Sequence, residues 1–241
     1  MQEQFSRTAM LLGEGAVERL WNCHVAVFGL GGVGSWTVEA LARSGVGALT
    51  LIDQDEVSLT NLNRQLGALH STLGRPKAEV LAERVRDISP QCRVIPLAAR
   101  YEAETREDFF RTRYDYIVDA IDLVSCKLDL IQTALERGIP ILSALGTGNK
   151  LDPTQFRIGD IAKTEGCPLA RVVRKELRAR GIRHHRVLWS PEPPVTPGEN
   201  GEAPPPGRRS IPGSVAWVPA CAGLMLAGDV VQALAQREKT V

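Results

Sequence analysis

The sequence predicts an α/β protein, a doubly wound and mostly parallel sheet with helices on both faces. Three observations lead there. Short β-branched runs alternate with segments of helical period as far as Leu145, the first run opens directly into a glycine-rich turn, and glycines close the helical segments. Strands separated by helices require right-handed crossovers, and these build a parallel sheet. In order, His24–Phe28 (HVAVF) is a strand leading into Gly29-Leu30-Gly31-Gly32-Val33-Gly34-Ser35, and a helix follows over Trp36–Ser44, stopped by Gly45 and Gly47. Ala48–Ile52 is the second strand, ending at Asp53. Pro76 sits at a favoured first-turn position, and Leu81, Val85 and Ile88 share one face of the helix it opens. Arg93–Leu97 and Tyr116–Ile121 are further strands, Leu128–Arg137 is a helix stopped by Gly138, and Ile139–Leu145 is a buried strand.

After Gly146-Thr147-Gly148 the texture changes into a C-terminal crossover region. Phe156–Ile161 reads as a strand, Leu169–Arg180 as a basic helix and Arg186–Trp189 as a strand. Ser190–Gly213 holds eight of the fifteen prolines and four glycines, which predicts a long mobile loop. Ser214–Val218 reads as a returning strand and Pro219–Gln236 as a final helix. No internal repeat is present, and residues 1–241 read as one domain with a protruding loop over 190–213.

Composition bounds the function. With 44% hydrophobic and 24% charged residues over 241 positions, wholesale disorder is excluded, and a chain this long builds a core without staples. The 29 basic and 28 acidic residues leave a net charge of +1, so any nucleic-acid surface must be local. Five cysteines (Cys23, Cys92, Cys126, Cys167, Cys221) form no C-x-x-C pair, which points to a reducing, cytoplasmic setting and against a cysteine-only zinc site. The N-terminus has no charged segment followed by an apolar run, so no secretory signal is expected. The apolar stretch Gly213–Ala235 carries Pro219, Gly223, Gly228, Asp229 and Gln232. It therefore reads as a buried helix, and membrane association is not expected.

The chemistry begins at the glycine loop. Gly29, Gly31 and Gly34 form G-x-G-x-x-G between a strand and a helix. Gly29 allows the tight turn, Gly31 lets backbone amides approach a phosphate, and Gly34 lets helix and strand pack closely. Asp53, nineteen residues past Gly34 at a strand end, suits ribose hydroxyls. To this point a Rossmann-like NAD enzyme fits equally well. Asn61-Leu62-Asn63-Arg64-Gln65 then adds amides and a guanidinium just beyond the acid. Lys77 stands in the first turn of a helix, where the macrodipole disfavours a cation unless a polyphosphate offsets it; a solvated surface lysine is the plain alternative. Asp119-Ala120-Ile121-Asp122 closes a strand at its carboxyl end. Asp119 suits a helix cap, and Asp122 suits a Mg²⁺ held against phosphates. Hydride transfer needs no such set around the phosphates, whereas ATP chemistry does.

GLGGVGSW, LIDQDEVSLTNLNRQ, GRPKAE and VDAID, in that order and spacing, resemble the ubiquitin-activating-enzyme-like adenylyltransferases, the family that includes MoeB and ThiF. The resemblance runs from about Phe5 to Asn149. It implies a Rossmann-like fold and activation of a carboxylate by Mg-ATP, giving an acyl-adenylate and pyrophosphate. It also implies roles by position. Gly31 and Gly32 would face the phosphates, and Asp53 the ribose with Asp55 beside it. Asn61, Asn63, Arg64 and Lys77 would clamp the triphosphate with Gln65 in support, and Asp122 would hold Mg²⁺. Arg7, in QFSRTAML, matches an arginine that reaches the partner subunit's phosphates, which implies a homodimer. Within the family, LLGEGAVERLWNCHVAVFGLGGVGSW, LDPTQFRIGDIAKT and the absence of paired cysteines resemble the tRNA threonylcarbamoyladenosine dehydratases. That branch adenylates a threonyl carboxylate on a tRNA base and closes a ring. The branch that adenylates a small ubiquitin-like sulfur carrier usually carries two C-x-x-C pairs for zinc, and this chain has none, so no zinc is expected. Adenylation of the C-terminus of such a carrier stays open as the runner-up, as do sulfur-relay partners, a NAD-binding redox or sensor protein and an inactive ATP-holding scaffold.

Arg171–Arg186 (RVVRKELRARGIRHHR) carries seven Lys/Arg against one Glu. By itself this is a solvated helix face; with a tRNA substrate, Arg171, Arg174, Lys175, Arg178, Arg183 and Arg186 become phosphate contacts. His184-His185 lacks companion ligands for a metal. Cys167 precedes Pro168 at a helix start, where either a reactive thiolate or a structural cysteine fits.

Overall fold

The computed structural model describes residues 3–198 and 212–236. The secondary structure comprises α1 (Ser6–Leu12), α2 (Glu14–Trp21), β1 (His24–Phe28), α3 (Gly34–Arg43), β2 (Ala48–Ile52), α4 (Lys77–Ile88), β3 (Arg93–Leu97), α5 (Arg106–Phe109) and β4 (Tyr116–Asp119). It continues with α6 (Val124–Glu136), β5 (Ile141–Ala144), β6 (Arg157–Asp160), α7 (Pro168–Ala179), β7 (Arg186–Trp189) and α8 (Trp217–Ala235). The strands form one seven-stranded sheet in the order β3-β2-β1-β4-β5-β7-β6. All neighbours are parallel except β6 and β7, which run antiparallel at the edge.

Alternation along each strand divides the core into two layers. Val25 and Val27 of β1 join Val118, Leu142 and Leu188 beneath α3, α4 and α8. Ala26 and Phe28 join Ile117, Ile141 and Val187 beneath α6 and α7. Both faces of the sheet are therefore covered, and every position of β1 and β2 is buried, the polar His24 and Thr50 pairing with each other at 2.8 Å.

The apolar stretch near the C-terminus is a core helix. By length and composition α8 could cross a membrane, yet more than half of it is buried in the fold. It lies close on α3: a Cβ on Gly223 would come within 2.4 Å of the Val33 carbonyl oxygen, and the Thr37 hydroxyl donates to the Gly223 carbonyl at 3.1 Å.

Two expectations are corrected. Ser214–Val218 is not a strand: its last two residues open α8, and Pro219 sits in that helix's first turn, where a missing N–H costs nothing. α6 begins at Val124, a turn before Leu128. Of the Pro-rich loop over 190–213, the base is tied to Asn149, which is hydrogen bonded to Val195 and to Gly213, and 199–211 lie outside the described residues. Two helices not read from the sequence, α1 and α2, precede the sheet.

Candidate active site

β1 is the strand at which the sheet's order reverses, with β2 on one side and β4 on the other, so the loops after β1 and β4 meet over the crevice between them. Gly29 has φ +86°, and a Cβ there would sit 2.6 Å from the Ala120 carbonyl oxygen in the loop after β4. A Cβ on Gly34 would lie 1.8 Å from the Gly29 oxygen, so the turn closes only with glycine at both positions.

Asp53, at the end of β2, fixes this turn. Its Oδ2 accepts from the Leu30 N–H at 2.6 Å and its Oδ1 from the Asp55 N–H at 2.8 Å. Burial pushes its carboxyl above the ordinary range, opposed by the nearby Lys77 ammonium. Lys77 is the first residue of α4 and is buried, and its Nζ donates to Asp55 Oδ2 at 2.8 Å. The penalty of a cation at a helix N-terminus is thus offset here by a carboxylate.

The polar segment after β2 folds back onto α3. The Asn61 side chain accepts from the Ser58 N–H, and its carbonyl receives the Arg64 and Gln65 amides. Ser35 Oγ accepts from the Leu66 N–H, and the Trp36 indole donates to the Arg64 carbonyl. Gln65 is buried with its amide nitrogen 3.8 Å from where a Gly31 Cβ would be. Arg64 is half-buried, and the lost solvation lowers its pKa; its guanidinium donates to the Thr60 carbonyl and to Asn63 Oδ1. Asn63 in turn donates to the Ser214 carbonyl, just ahead of α8. A Cβ on Gly32 would sit 3.0 Å from Pro219 of α8. Leu30, Gln65 and Lys77 line one small cavity. The glycine loop, the Asp53 carboxyl, the amides, the Arg64 guanidinium and the Lys77 ammonium therefore converge at one end of the sheet.

Asp119 and Asp122 differ in kind. Asp119 is fully buried and accepts from Lys127 Nζ at 2.6 Å and from the Ile121 N–H at 3.0 Å. Lys127 also donates to the Ala144 carbonyl at 3.0 Å. Asp119 is thus neither a helix cap nor a metal ligand but the anchor of the loop that carries Asp122, which is exposed. Among the described residues no three His, Cys, Asp or Glu side chains gather as a metal site. An exposed carboxylate at that position fits Mg²⁺, which takes one or two carboxylates together with phosphate oxygens.

The remaining sequence candidates separate. Arg7 is exposed on α1, which buries none of its residues and displays Met10 and Leu11. On α7, Arg171, Lys175 and Arg178 lie on one exposed face, and Arg183 follows, also exposed. Arg174 does not join them, because its guanidinium donates to the Thr164 carbonyl and hydroxyl. Arg186 pairs with Asp229 of α8 through both Nε and Nη2. His184 meets Asp160 at 2.9 Å, and His185 meets Ser143 at 2.8 Å, so neither stands in a metal cluster. Cys167 is buried at the start of α7. Lys127, Ser35 and Trp36 were not read from the sequence; a lysine within the apolar run of α6 was the available sign of a buried partner.

This fold and site define a nucleotide-binding α/β protein of the doubly wound class. The sequence matches the ThiF family over residues 5–241, and the chain belongs to that family. It is 46% identical to the tRNA threonylcarbamoyladenosine dehydratase of Bacillus subtilis, across 97% of this chain and 95% of that protein. It is similar to the crystal structure of the Escherichia coli tRNA N6-threonylcarbamoyladenosine dehydratase in complex with AMP, with a TM-score of 0.88, 37% identity, and 96% and 94% of the two chains covered. The complex of that E. coli protein with ATP gives a TM-score of 0.86 at 37% identity, covering 96% and 93%.

Proposed function

We propose that this chain is an ATP-dependent tRNA threonylcarbamoyladenosine dehydratase, which cyclises the threonylcarbamoyl group of a modified tRNA adenosine. The observation that carries the reading is the convergence of glycine loop, Asp53, Arg64 and Lys77 at the strand-order reversal of a chain nearly half identical, end to end, to such a dehydratase.

The chemistry follows from the placement. A threonyl carboxylate oxygen attacks the α-phosphorus of ATP, a P–O bond forms, and pyrophosphate leaves with its electron pair. The amides of Gly31 and Gly32 and the N-terminus of α3 face the phosphates, while Arg64 and Lys77 offset charge building on the attacked and leaving groups. A Mg²⁺ arriving with ATP and held by Asp122 would supply further charge neutralisation. A carbamoyl nitrogen then attacks the activated acyl carbon, AMP leaves, and the nitrogen's proton passes to solvent, so that water is lost overall. Nucleophile and electrophile share one substituent, so proximity supplies much of this second step.

The exposed Met10 and Leu11 beside Arg7 support a homodimer in which Arg7 reaches a second copy's phosphates. The exposed face of α7 with Arg183 supports tRNA contact at a local patch. The described cysteines are all free, which supports a reducing, cytoplasmic setting.

The test is nucleoside mass spectrometry of threonylcarbamoylated tRNA incubated with protein and Mg-ATP. Loss of one water from the modified nucleoside, with stoichiometric AMP, is expected. No mass change, together with pyrophosphate release that needs a small carrier protein, would overturn the reading.

A further inference from the structure

Of the five Phe, four Trp and three Tyr in the chain, all within described positions, Trp217 alone is exposed. Large aromatic side chains are normally buried, so an isolated open indole calls for a reason. This one is held in place. Its Nε1–H donates to the Leu151 carbonyl at 2.8 Å, so the polar atom is satisfied and the ring orientation fixed while half of its surface stays open. Leu151 is itself exposed, which makes the surroundings apolar.

Its place in the fold is specific. Trp217 is the first residue of α8, two positions before Pro219, which packs on Gly32 of the phosphate loop. The strand of chain ahead of it is tied to the polar clamp segment by the Asn63 bond to the Ser214 carbonyl. The lead-in to α8 thus spans the rim of the nucleotide site, from the clamp segment to the chain beyond β5.

The proposed reaction constrains where the substrate base lies. The threonylcarbamoyl group links adenine N6 to its carboxylate carbon through four single-bond steps, a reach of about 5 Å at ordinary bond lengths. A carboxylate at the α-phosphate over Gly31 and Gly32 therefore keeps its own base at the rim. We propose that Trp217 is the stacking platform for the adenine that bears the threonylcarbamoyl group, and so a specificity-determining residue. A π-face recognises a splayed-out base of an RNA loop, and a satisfied indole N–H leaves the stack free of competing polar demands.

The inference rests on the proposed reaction, so the wild-type protein is assayed first. If it fails to cyclise threonylcarbamoylated tRNA with ATP, the reaction reading falls. If it succeeds, Trp217→Ala, Trp217→Leu and Trp217→Phe are compared for KM of the tRNA, for kcat, and for affinity of a non-hydrolysable ATP analogue. Loss of the stack should raise KM roughly ten- to hundredfold in the Ala and Leu variants, with ATP affinity unchanged. Trp217→Phe keeps a ring but loses the bond to Leu151, and it should restore KM to within a few fold. Leu keeps apolar bulk, so it carries the comparison if the Ala variant does not fold. Wild-type KM in the Leu variant would overturn the proposal. So would a Phe variant as impaired as Leu, since that assigns Trp217 to its hydrogen bond alone.

Discussion

Removing Lys127 should unfold the chain far more readily than removing any surface lysine. The ammonium and the Asp119 carboxylate are both 0% exposed and 2.6 Å apart, so Lys127→Met leaves an uncompensated buried anion. Breaking one partner of such a pair costs about 3–5 kcal/mol, against about 0–1 kcal/mol for an exposed pair. For a chain of this size that is a fall in Tm of roughly 6–20 °C. Asp119 also accepts the Ile121 N–H, and Lys127 also caps the Ala144 carbonyl, so the loop carrying Asp122 should loosen as stability is lost. Thermal and urea unfolding of the single variants and of Asp119→Asn/Lys127→Met separate the terms. The double variant removes both charges and should recover much of the loss, giving a large coupling energy. A Lys127→Met protein within about 1 kcal/mol of wild type, the range of exposed pairs, would refute the claim that this pair holds the β4 loop.

Mixing two inactive chains tests the proposed homodimer and its composite site. Arg7→Ala and Asp122→Ala homodimers should each lose activity by roughly 100-fold or more, and subunit exchange should restore part of it, since one site of the mixed dimer is intact; no recovery after verified exchange argues against Arg7 acting in trans. Replacing Arg171, Lys175 and Arg178 by Gln should weaken tRNA binding and flatten its salt slope by about 0.7–0.9 per lost contact, leaving ATP affinity unchanged. Arg174→Gln should instead lower stability, through its bonds to Thr164. Burial, aided by the Lys127 charge, pushes His185 down to about 3 from 6.5. The unfolded chain therefore takes up a proton between those values that the native state refuses, and this stability, full above about pH 6.5, is lost on acidification by up to roughly 1.4 kcal/mol per pH unit. A Tm that falls no faster below pH 6.5 in wild type than in His185→Gln would remove His185 as the cause.

Much of the scaffold was legible because parallel strands buried on both faces advertise themselves. HVAVF and ALTLI, buried throughout, were delimited to the residue, and so were RVLW and the half-exposed edge strand RVIPL, whose bounds came from its β-branched run. The glycine loop was legible because its glycines meet steric demands that no other residue meets, as the contacts at Gly29 and Gly34 show. Charge was less legible, because a sequence counts cations without showing what they face. Arg174 and Arg186 read as members of a basic patch, yet one secures Thr164 and the other Asp229. Ser214–Val218 misled for a related reason, since a short apolar run does not reveal whether it pairs with a strand or opens a helix.

Lys77 and Lys127 show what decides between a structural and a reactive cation. Both are buried, both donate to an aspartate at under 3 Å, and a sequence gives no means of ranking them. The difference lies in the partners. Asp119 is sealed under the sheet and cannot release Lys127 without leaving a bare charge in the core. Asp55 is 56% exposed, so its carboxylate can turn out to water at little cost when a phosphate arrives to take its place beside Lys77. An exchangeable anion at a helix N-terminus keeps the ammonium buried and oriented before the nucleotide binds. That is the preorganisation a phosphate clamp needs, and in the proposed reaction it favours Lys77 over Lys127 as the lysine that follows charge developing on the leaving pyrophosphate.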